Sequence, residues 1–364
     1  MKQNYKKILD KVTPYQPGKP IEEVKREYNL ENVIKLASNE NPLPVSPKVL
    51  EAIAKSSKCV ARYPDGACFR LKSCLSKKLK LSENNIVFGN GSDEIIILAL
   101  RAFINPGDEV IVSKPTFSVY KIAAMIEGAE IKEIPAKKYK YDLNAMYKAV
   151  TKATKIIFIA NPDNPTGTYV SNDDLRAFID KLPKDILIFI DEAYYEFARG
   201  EDYPETFDII KRQDRNVVIA RTFSKAYGLA GLRVGYGVAR EDIALLLNKV
   251  REPFNVNSIA QAAAIAALED NEHLQASVSL VLSEKEKFYQ KFESLGLEYI
   301  PSRANFIAVN TKRDSKQVFE YLLRKGIIVR EMSAWGLDGF IRVNIGLPEE
   351  NEAFFKAFME AIEL

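Results

Sequence analysis

Between residues 85 and 238 the chain alternates seven short apolar runs with stretches of helical spacing, and this pattern leaves few folds open. The runs are Asn85-Ile-Val-Phe88, Glu109-Val-Ile-Val112, Glu130-Ile-Lys-Glu-Ile134, Lys155-Ile-Ile-Phe-Ile159, Ile186-Leu-Ile-Phe-Ile190, Val217-Val-Ile219 and Val234-Gly-Tyr-Gly-Val238. Several are apolar without alternation, as expected of strands covered by helices on both faces. They predict an α/β fold: a doubly wound, mostly parallel seven-stranded sheet whose ligands collect beyond the carboxyl ends of its strands.

Around Glu252-Pro-Phe254 the spacing shifts to long helices, over 256–271 and 272–296. Strands at 305–309, 327–330 and 340–344 and a helix ending near Leu364 then predict a smaller α+β domain. Prolines at 14, 17 and 20 mark the start as an arm. The expected division is an arm over 1–34, a large α/β domain over 35–251 and a small domain over 252–364. A chain of 364 residues that is 47% hydrophobic can bury cores of that size.

Composition removes several kinds of chemistry. The only histidine, His273, lies in the polar stretch Glu269-Asp-Asn-Glu-His273, which argues against Ser-His-Asp catalysis and histidine-rich metal sites. Cys59, Cys68 and Cys74 match no zinc spacing and suit a reducing, cytoplasmic setting. A net charge of +3 is too small to point to nucleic acid. No apolar stretch approaches the ~18 residues of a membrane span, and Met1 to Asp10 lack the apolar region of a secretory signal. What remains is lysine, tyrosine, carboxylates or a cofactor.

The candidate residues fall at strand ends. In Arg221-Thr-Phe-Ser-Lys-Ala-Tyr-Gly-Leu-Ala-Gly-Leu-Arg233, Lys225 stands where an apolar strand meets a loop. An amine there can lose water, titrate lower and react with an aldehyde. Ser224 and Arg233 supply donors for a phosphate, and the combination suits pyridoxal phosphate. Taken alone, Lys225 is equally a solvated lysine after a strand. Gly89-Asn-Gly-Ser-Asp-Glu94 ends one strand and opens a helix, an anion site with Ser92 or Asp93 as its cap, or ordinary capping. Asp191, in Asp191-Glu-Ala-Tyr194, is a carboxylate at a depth that demands a cation, such as a protonated pyridine nitrogen; a helix cap or a structural salt bridge also fits. Asn164, in Asn161-Pro-Asp-Asn-Pro-Thr-Gly167, and Tyr194 can both donate to a phenolic oxygen.

Together, Asn-Pro-x-Asn-Pro-Thr-Gly, Asp-Glu-Ala-Tyr and Thr-Phe-Ser-Lys-Ala-x-Gly-Leu-Ala-Gly-Leu-Arg resemble, in order and spacing, the fold-type I aminotransferases of class I/II. The resemblance implies that Lys225 binds pyridoxal 5'-phosphate and shuttles a proton, and that Asp191 partners the ring nitrogen. It further implies Asn164 and Tyr194 on the phenolic oxygen, Phe117 stacked on the ring, and Gly91, Ser92, Asp93, Ser224 and Arg233 around the phosphate. Val12-Thr-Pro-Tyr15, Leu36-Ala-Ser-Asn-Glu-Asn-Pro42, Arg62-Tyr-Pro-Asp65, Gly326-Ile-Ile-Val-Arg330 and Phe340-Ile-Arg-Val-Asn-Ile-Gly346 resemble the histidinol-phosphate aminotransferase branch. On that likeness Tyr63 reaches the cofactor phosphate of a neighbouring subunit, so a homodimer with shared sites is implied. Tyr15, Asn41, Arg330 and Arg342 are implied to bind the substrates, histidinol phosphate and glutamate or 2-oxoglutarate. Aromatic amino-acid transamination and, from another class, decarboxylation of a phospho-amino acid stay open at this stage, as does a non-catalytic pyridoxal-phosphate-binding regulator.

Overall fold

A computed structural model of the chain describes residues 4–14, 18–198, 200 and 202–363. All seven expected strands form one seven-stranded sheet in the order Ile86–Gly89, Gly235–Ala239, Asn216–Thr222, Leu187–Asp191, Thr154–Ala160, Glu109–Lys114, Glu130–Pro135. Neighbours run parallel except Gly235–Ala239, which is antiparallel to both of its partners.

The continuous apolar runs are explained by two cores, one on each face. Side chains alternate across a strand. Ile156, Phe158, Leu187, Phe189, Val218 and Ala220 therefore join one buried cluster, with helices Ser92–Phe103, Ser118–Ile126 and Glu241–Lys249. Ile157, Ile159, Ile188, Ile190, Val217 and Ile219 join the other, where helix Asn172–Lys181 contributes Leu175, Phe178 and Ile179. Each such side chain contributes ~1.5–3 kcal/mol on burial, so polar residues are displaced to the strand ends. The edge strand Glu130–Pro135 is the exception, half-buried and carrying Glu130, Lys132 and Glu133, charges that discourage edge pairing.

A second, four-stranded antiparallel sheet runs Arg330–Glu331, Phe340–Asn344, Phe306–Asn310, Tyr299–Ile300. Phe288 and Phe292 of helix Asn271–Ser294 meet Phe354 and Phe358 of helix Pro348–Glu363. The single strand expected at 327–330 is split. Ile327–Ile328 pairs in parallel with Ile34–Lys35, while Arg330–Glu331 pairs with Phe340–Asn344. Two partners far apart in sequence compete for one run and each takes two residues. Helix Ser258–Glu269 packs on helices Pro47–Ser56 and Phe69–Leu79. The expected arm also has a buried anchor. Helix Ile21–Tyr28 seats Val24 against Ala37, Leu323 and Ile328. Among the described residues no helix is long and apolar enough to cross a membrane.

Candidate active site

Strand Leu187–Asp191 ends on Asp191, and strand Asn216–Thr222 runs on to Ser224 and Lys225. Strand Thr154–Ala160 leads to Asn164, strand Glu109–Lys114 to Phe117, and strand Ile86–Gly89 to Ser92. Parallel strands discharge these loops at one edge, where they enclose a cavity of about 440 Å³. Ser92, Asp93, Phe117, Asn164, Asp191, Tyr194, Ser224, Lys225, Arg233, Arg330 and Arg342 all line it.

At its floor Asp191 is only 6% exposed. Tyr120 donates its hydroxyl to Oδ2 at 2.7 Å and the Ala193 N–H donates to Oδ1 at 3.1 Å. Burial nevertheless pushes the carboxyl up to about 6, the Tyr120 hydrogen bond opposing the shift and the Asp93 charge adding to it. A carboxylate so placed is in want of a cation. Lys225 titrates the other way. Burial first, then the positive charge of Arg342, brings its amine down to about 8, and Nζ donates to Ser38 O at 3.3 Å. About one amine in ten is then unprotonated at neutral pH, and an unprotonated amine is a nucleophile.

The opposite end suits an anion. Helix Ser92–Phe103 opens here with the positive end of its dipole. The capping expectation needs correction. Gly91 is the cap residue, at φ 78°, with no side-chain cap, and the Asn90 N–H donates to Glu94 Oε2 instead. Arg233 Nη2 donates to Asp93 Oδ2 at 3.2 Å and Nη1 to Ser224 Oγ at 3.4 Å. Two glycines make the approach possible. A Cβ on Gly91 would stand 2.5 Å from Arg233 Nη2, and one on Gly235 would stand 2.5 Å from the Ser92 N.

Arg342 Nη1 donates to Asn164 Oδ1 and Nη2 to Ala37 O at 3.1 Å. A guanidinium has no acceptor, so the Asn164 amide must present its oxygen to Arg342 and turn its NH₂ elsewhere. Tyr194 Oη accepts from Asn39 Nδ2 at 2.8 Å, and the Lys225 Nζ lies 5.7 Å from the Tyr194 ring centre. Arg330 and Arg342 are direct cross-strand partners.

Three of the expected residues stand apart from the cavity lining. Gly91 lies behind Ser92 as its helix cap. Asn41 is not part of the lining. Its amide donates to Lys225 O, Ala226 O and Ser277 Oγ, and its Oδ1 accepts from the Leu43 N–H, so it supports the lysine loop from beneath. Tyr63 is 83% exposed and stacks on Phe254 at 4.8 Å, outside the cavity of its own chain. Tyr15 lies outside the described residues. Conversely, sequence reasoning missed Tyr120 and Asn39. The usable signals were a tyrosine one helical turn after Phe117, since a buried phenol needs a hydrogen-bond partner, and an asparagine, a residue that tolerates φ 54°.

Beneath the site, Arg221 donates from Nε to Glu192 Oε2 at 2.8 Å, and its guanidinium carbon lies 3.3 Å from the Tyr195 ring centre and 4.2 Å from that of Phe207. Glu192 is fully buried and its other oxygen accepts from Thr206 Oγ1 at 2.8 Å. Arg221→Met strands that carboxylate without its cation, an expected loss of ~3–5 kcal/mol. A denaturant titration of the variant checks this, and an unfolding midpoint equal to wild type is the contrary result.

A buried carboxylate, an amine of lowered pKa and an anion seat in one cavity can grip a phosphorylated, aldehyde-bearing ring at three points. Residues 31–358 match the family described as aminotransferase class I and II. The chain belongs to that family. Among curated relatives of this aminotransferase, the histidinol-phosphate aminotransferase of Moorella thermoacetica is 48% identical over 351 residues, covering 96% of this chain and 91% of that one. Histidinol-phosphate aminotransferase 1 of Nitrosococcus oceani is 48% identical over 352 residues, covering 97% and 95%. The crystal structure of histidinol-phosphate aminotransferase from Sinorhizobium meliloti in complex with pyridoxal-5'-phosphate superposes with a TM-score of 0.90 at 28% identity, covering 99% of this chain and 97% of that one.

Proposed function

We propose that this aminotransferase is a histidinol-phosphate aminotransferase, moving an amino group between L-glutamate and imidazole acetol phosphate with pyridoxal 5'-phosphate as cofactor, in the cytoplasm and in the service of histidine synthesis. The residues present fit that cofactor. Asp191, its carboxyl pushed up to about 6 by burial, suits a protonated ring nitrogen. Lys225 suits the aldehyde, and Ser92, Ser224 and Arg233 with the helix terminus suit the phosphate. Phe117 lines the same cavity and supplies an aromatic face for stacking. When bound, the cofactor supplies an electron sink that makes the α-proton of an amino acid removable.

The chain's own residues then divide the work. Asp191 keeps a positive charge in place opposite its carboxylate. Tyr120 and the Ala193 N–H fix the direction of that carboxylate. Lys225 Nζ moves the proton at the substrate α-carbon. Asn164 is oriented by Arg342, and Tyr194 by Asn39, toward the phenolic oxygen. Both substrates use the one cavity, so they bind in turn.

The observation that carries the substrate assignment is the cross-strand pair Arg330 and Arg342 at the cavity wall. Like charges directly opposite in a sheet repel, and an anion between them offsets the cost. Guanidinium forks accept a carboxylate or a phosphate bidentately. Glutamate brings two carboxylates, and histidinol phosphate brings a phosphate and no carboxylate. A paired assay with 2-oxoglutarate as acceptor tests the assignment. The expected kcat/KM for histidinol phosphate exceeds that for phenylalanine at least ~100-fold, because an aromatic amino acid leaves one guanidinium without its anion. Values within a factor of three would favour an aromatic aminotransferase instead.

The protein acts as a homodimer. Tyr63, Phe69 and Val60 are 83%, 65% and 61% exposed, and Tyr63 lies against Phe254, itself 46% exposed. A second copy of the chain covers such a face and receives Tyr63 at its cofactor phosphate. The thiols of Cys59, Cys68 and Cys74 are all unbridged, in keeping with a reducing compartment.

A further inference from the structure

The link between strands Arg330–Glu331 and Phe340–Asn344 contains Ser333-Ala-Trp-Gly336. Its conformation is closed by one carboxylate. Glu331 accepts from the Ser333 N–H at 2.9 Å, from Ser333 Oγ at 2.7 Å and from Ser315 Oγ at 2.8 Å. A short turn Ser333–Trp335 follows, ended by Gly336 at φ 75°. The indole of Trp335 packs on the small cluster that holds Met332, Leu337 and Phe340. It is therefore set in place by its own loop and by an apolar footing.

Both arginines of the cavity wall lie against this one ring. The Arg330 guanidinium carbon is 5.1 Å from the indole centre and that of Arg342 is 5.9 Å away. Phe306 lies 4.9 Å from the Arg342 guanidinium. Two cations on facing strand positions repel, and each is attracted by the negative face of an aromatic ring. An indole shared between them offsets part of that repulsion and limits where each planar fork can turn.

We propose that Trp335 is a positioning residue that selects a phosphate-bearing substrate by holding Arg330 and Arg342 together as one dianion seat. The proposal rests on the substrate reading above. A phosphate carries two charges and three acceptor oxygens and can engage both forks, whereas one carboxylate is satisfied by one. Loss of the shared ring therefore weakens phosphate more than carboxylate. Trp335 is half-buried and borders a neighbouring cavity of about 520 Å³, which it shares with Phe117 and Arg330. Replacing it opens that cavity rather than a hole in the core.

The test uses the holoenzyme and has a direct optical arm, because Trp335 is the only tryptophan of the chain. Titration of wild type with inorganic phosphate is expected to change indole emission saturably, over the same concentrations at which phosphate competes with histidinol phosphate. In Trp335→Leu, KM for histidinol phosphate and the inhibition constant of inorganic phosphate are each expected to rise about tenfold, which corresponds to about 1.4 kcal/mol. KM for glutamate rises much less, kcat changes less than either, and Trp335→Phe, which keeps a ring face, recovers most of the loss. Equal rises for glutamate and histidinol phosphate, a fall in kcat as large as the rise in KM, or no recovery with phenylalanine overturns the proposal. Should Trp335→Leu not fold, Trp335→Phe and the emission titration still decide it, since emission that ignores inhibitory phosphate has the same meaning. A wild-type preference for phenylalanine defeats the substrate reading, whereas the emission titration reports on the arginine seat whatever the preferred substrate is.

Discussion

Replacing Lys225 with alanine is expected to lower kcat by ~10⁴-fold, at the upper end of what a positioned acid–base group contributes. The size follows from the scarcity of substitutes. Among the described residues lining the cavity, Asp191 is engaged by Tyr120, Asp93 is paired with Arg233, and the arginines accept no proton. The chain's only histidine, His273, stands elsewhere, its Nε2 2.9 Å from Pro44 O. Glu40, the third carboxylate at the lining, is paired with Lys35 at 3.1 Å. The fold should survive, because the amine makes only one long hydrogen bond, to Ser38 O. Ser92, Ser224 and Arg233, the proposed phosphate seat, are untouched, so Lys225→Ala should still take up pyridoxal phosphate. Single-turnover kinetics together with the cofactor content of the purified variant check both halves. Turnover within tenfold of wild type would falsify the role of this lysine.

Asp191→Asn is the second large effect, a loss in kcat on the order of 10³-fold, which is the ~3–5 kcal/mol of a buried charge left without its partner. Asparagine keeps the shape and most of the hydrogen bonds, so the loss isolates the charge. Tyr120→Phe provides an internal scale. It removes one hydrogen bond to that carboxylate, worth ~1.5–3 kcal/mol for a charged acceptor, and should fall between wild type and Asp191→Asn. The two variants also shift cofactor affinity in the same order. Steady-state rates at saturating glutamate and 2-oxoglutarate measure the series, and a Tyr120→Phe loss exceeding that of Asp191→Asn contradicts it.

Much of this was legible in the sequence, and the reasons are physical. The central strands of the large sheet were readable because burial on both faces leaves an unbroken apolar run, as in Ile186 to Ile190. Lys225, Asp191 and Asn164 stood out because each ends or soon follows such a run, and Phe117 through the family resemblance; parallel strands bring the ends of these runs to one cavity. Contacts between distant segments were not readable. Tyr194 meets Asn39 across 155 residues, and Asp191 meets Tyr120 across 71. The division of residues 327–330 depends on Ile34–Lys35 arriving from the far end of the chain. The helix cap was misread because Ser92 has the usual chemistry, whereas the left-handed turn demanded Gly91. The partners of Asn41 were hidden for a related reason. A motif shows that an amide is needed but not which partner takes it, and here the partner is the backbone of the lysine loop.

One measurement bears most directly on the account. Holoenzyme reduced with borohydride and digested should yield a single pyridoxyl-modified peptide, with the mass shift on Lys225. A shift on any other lysine, or an unmodified Lys225 peptide from a sample with full cofactor content, would contradict it.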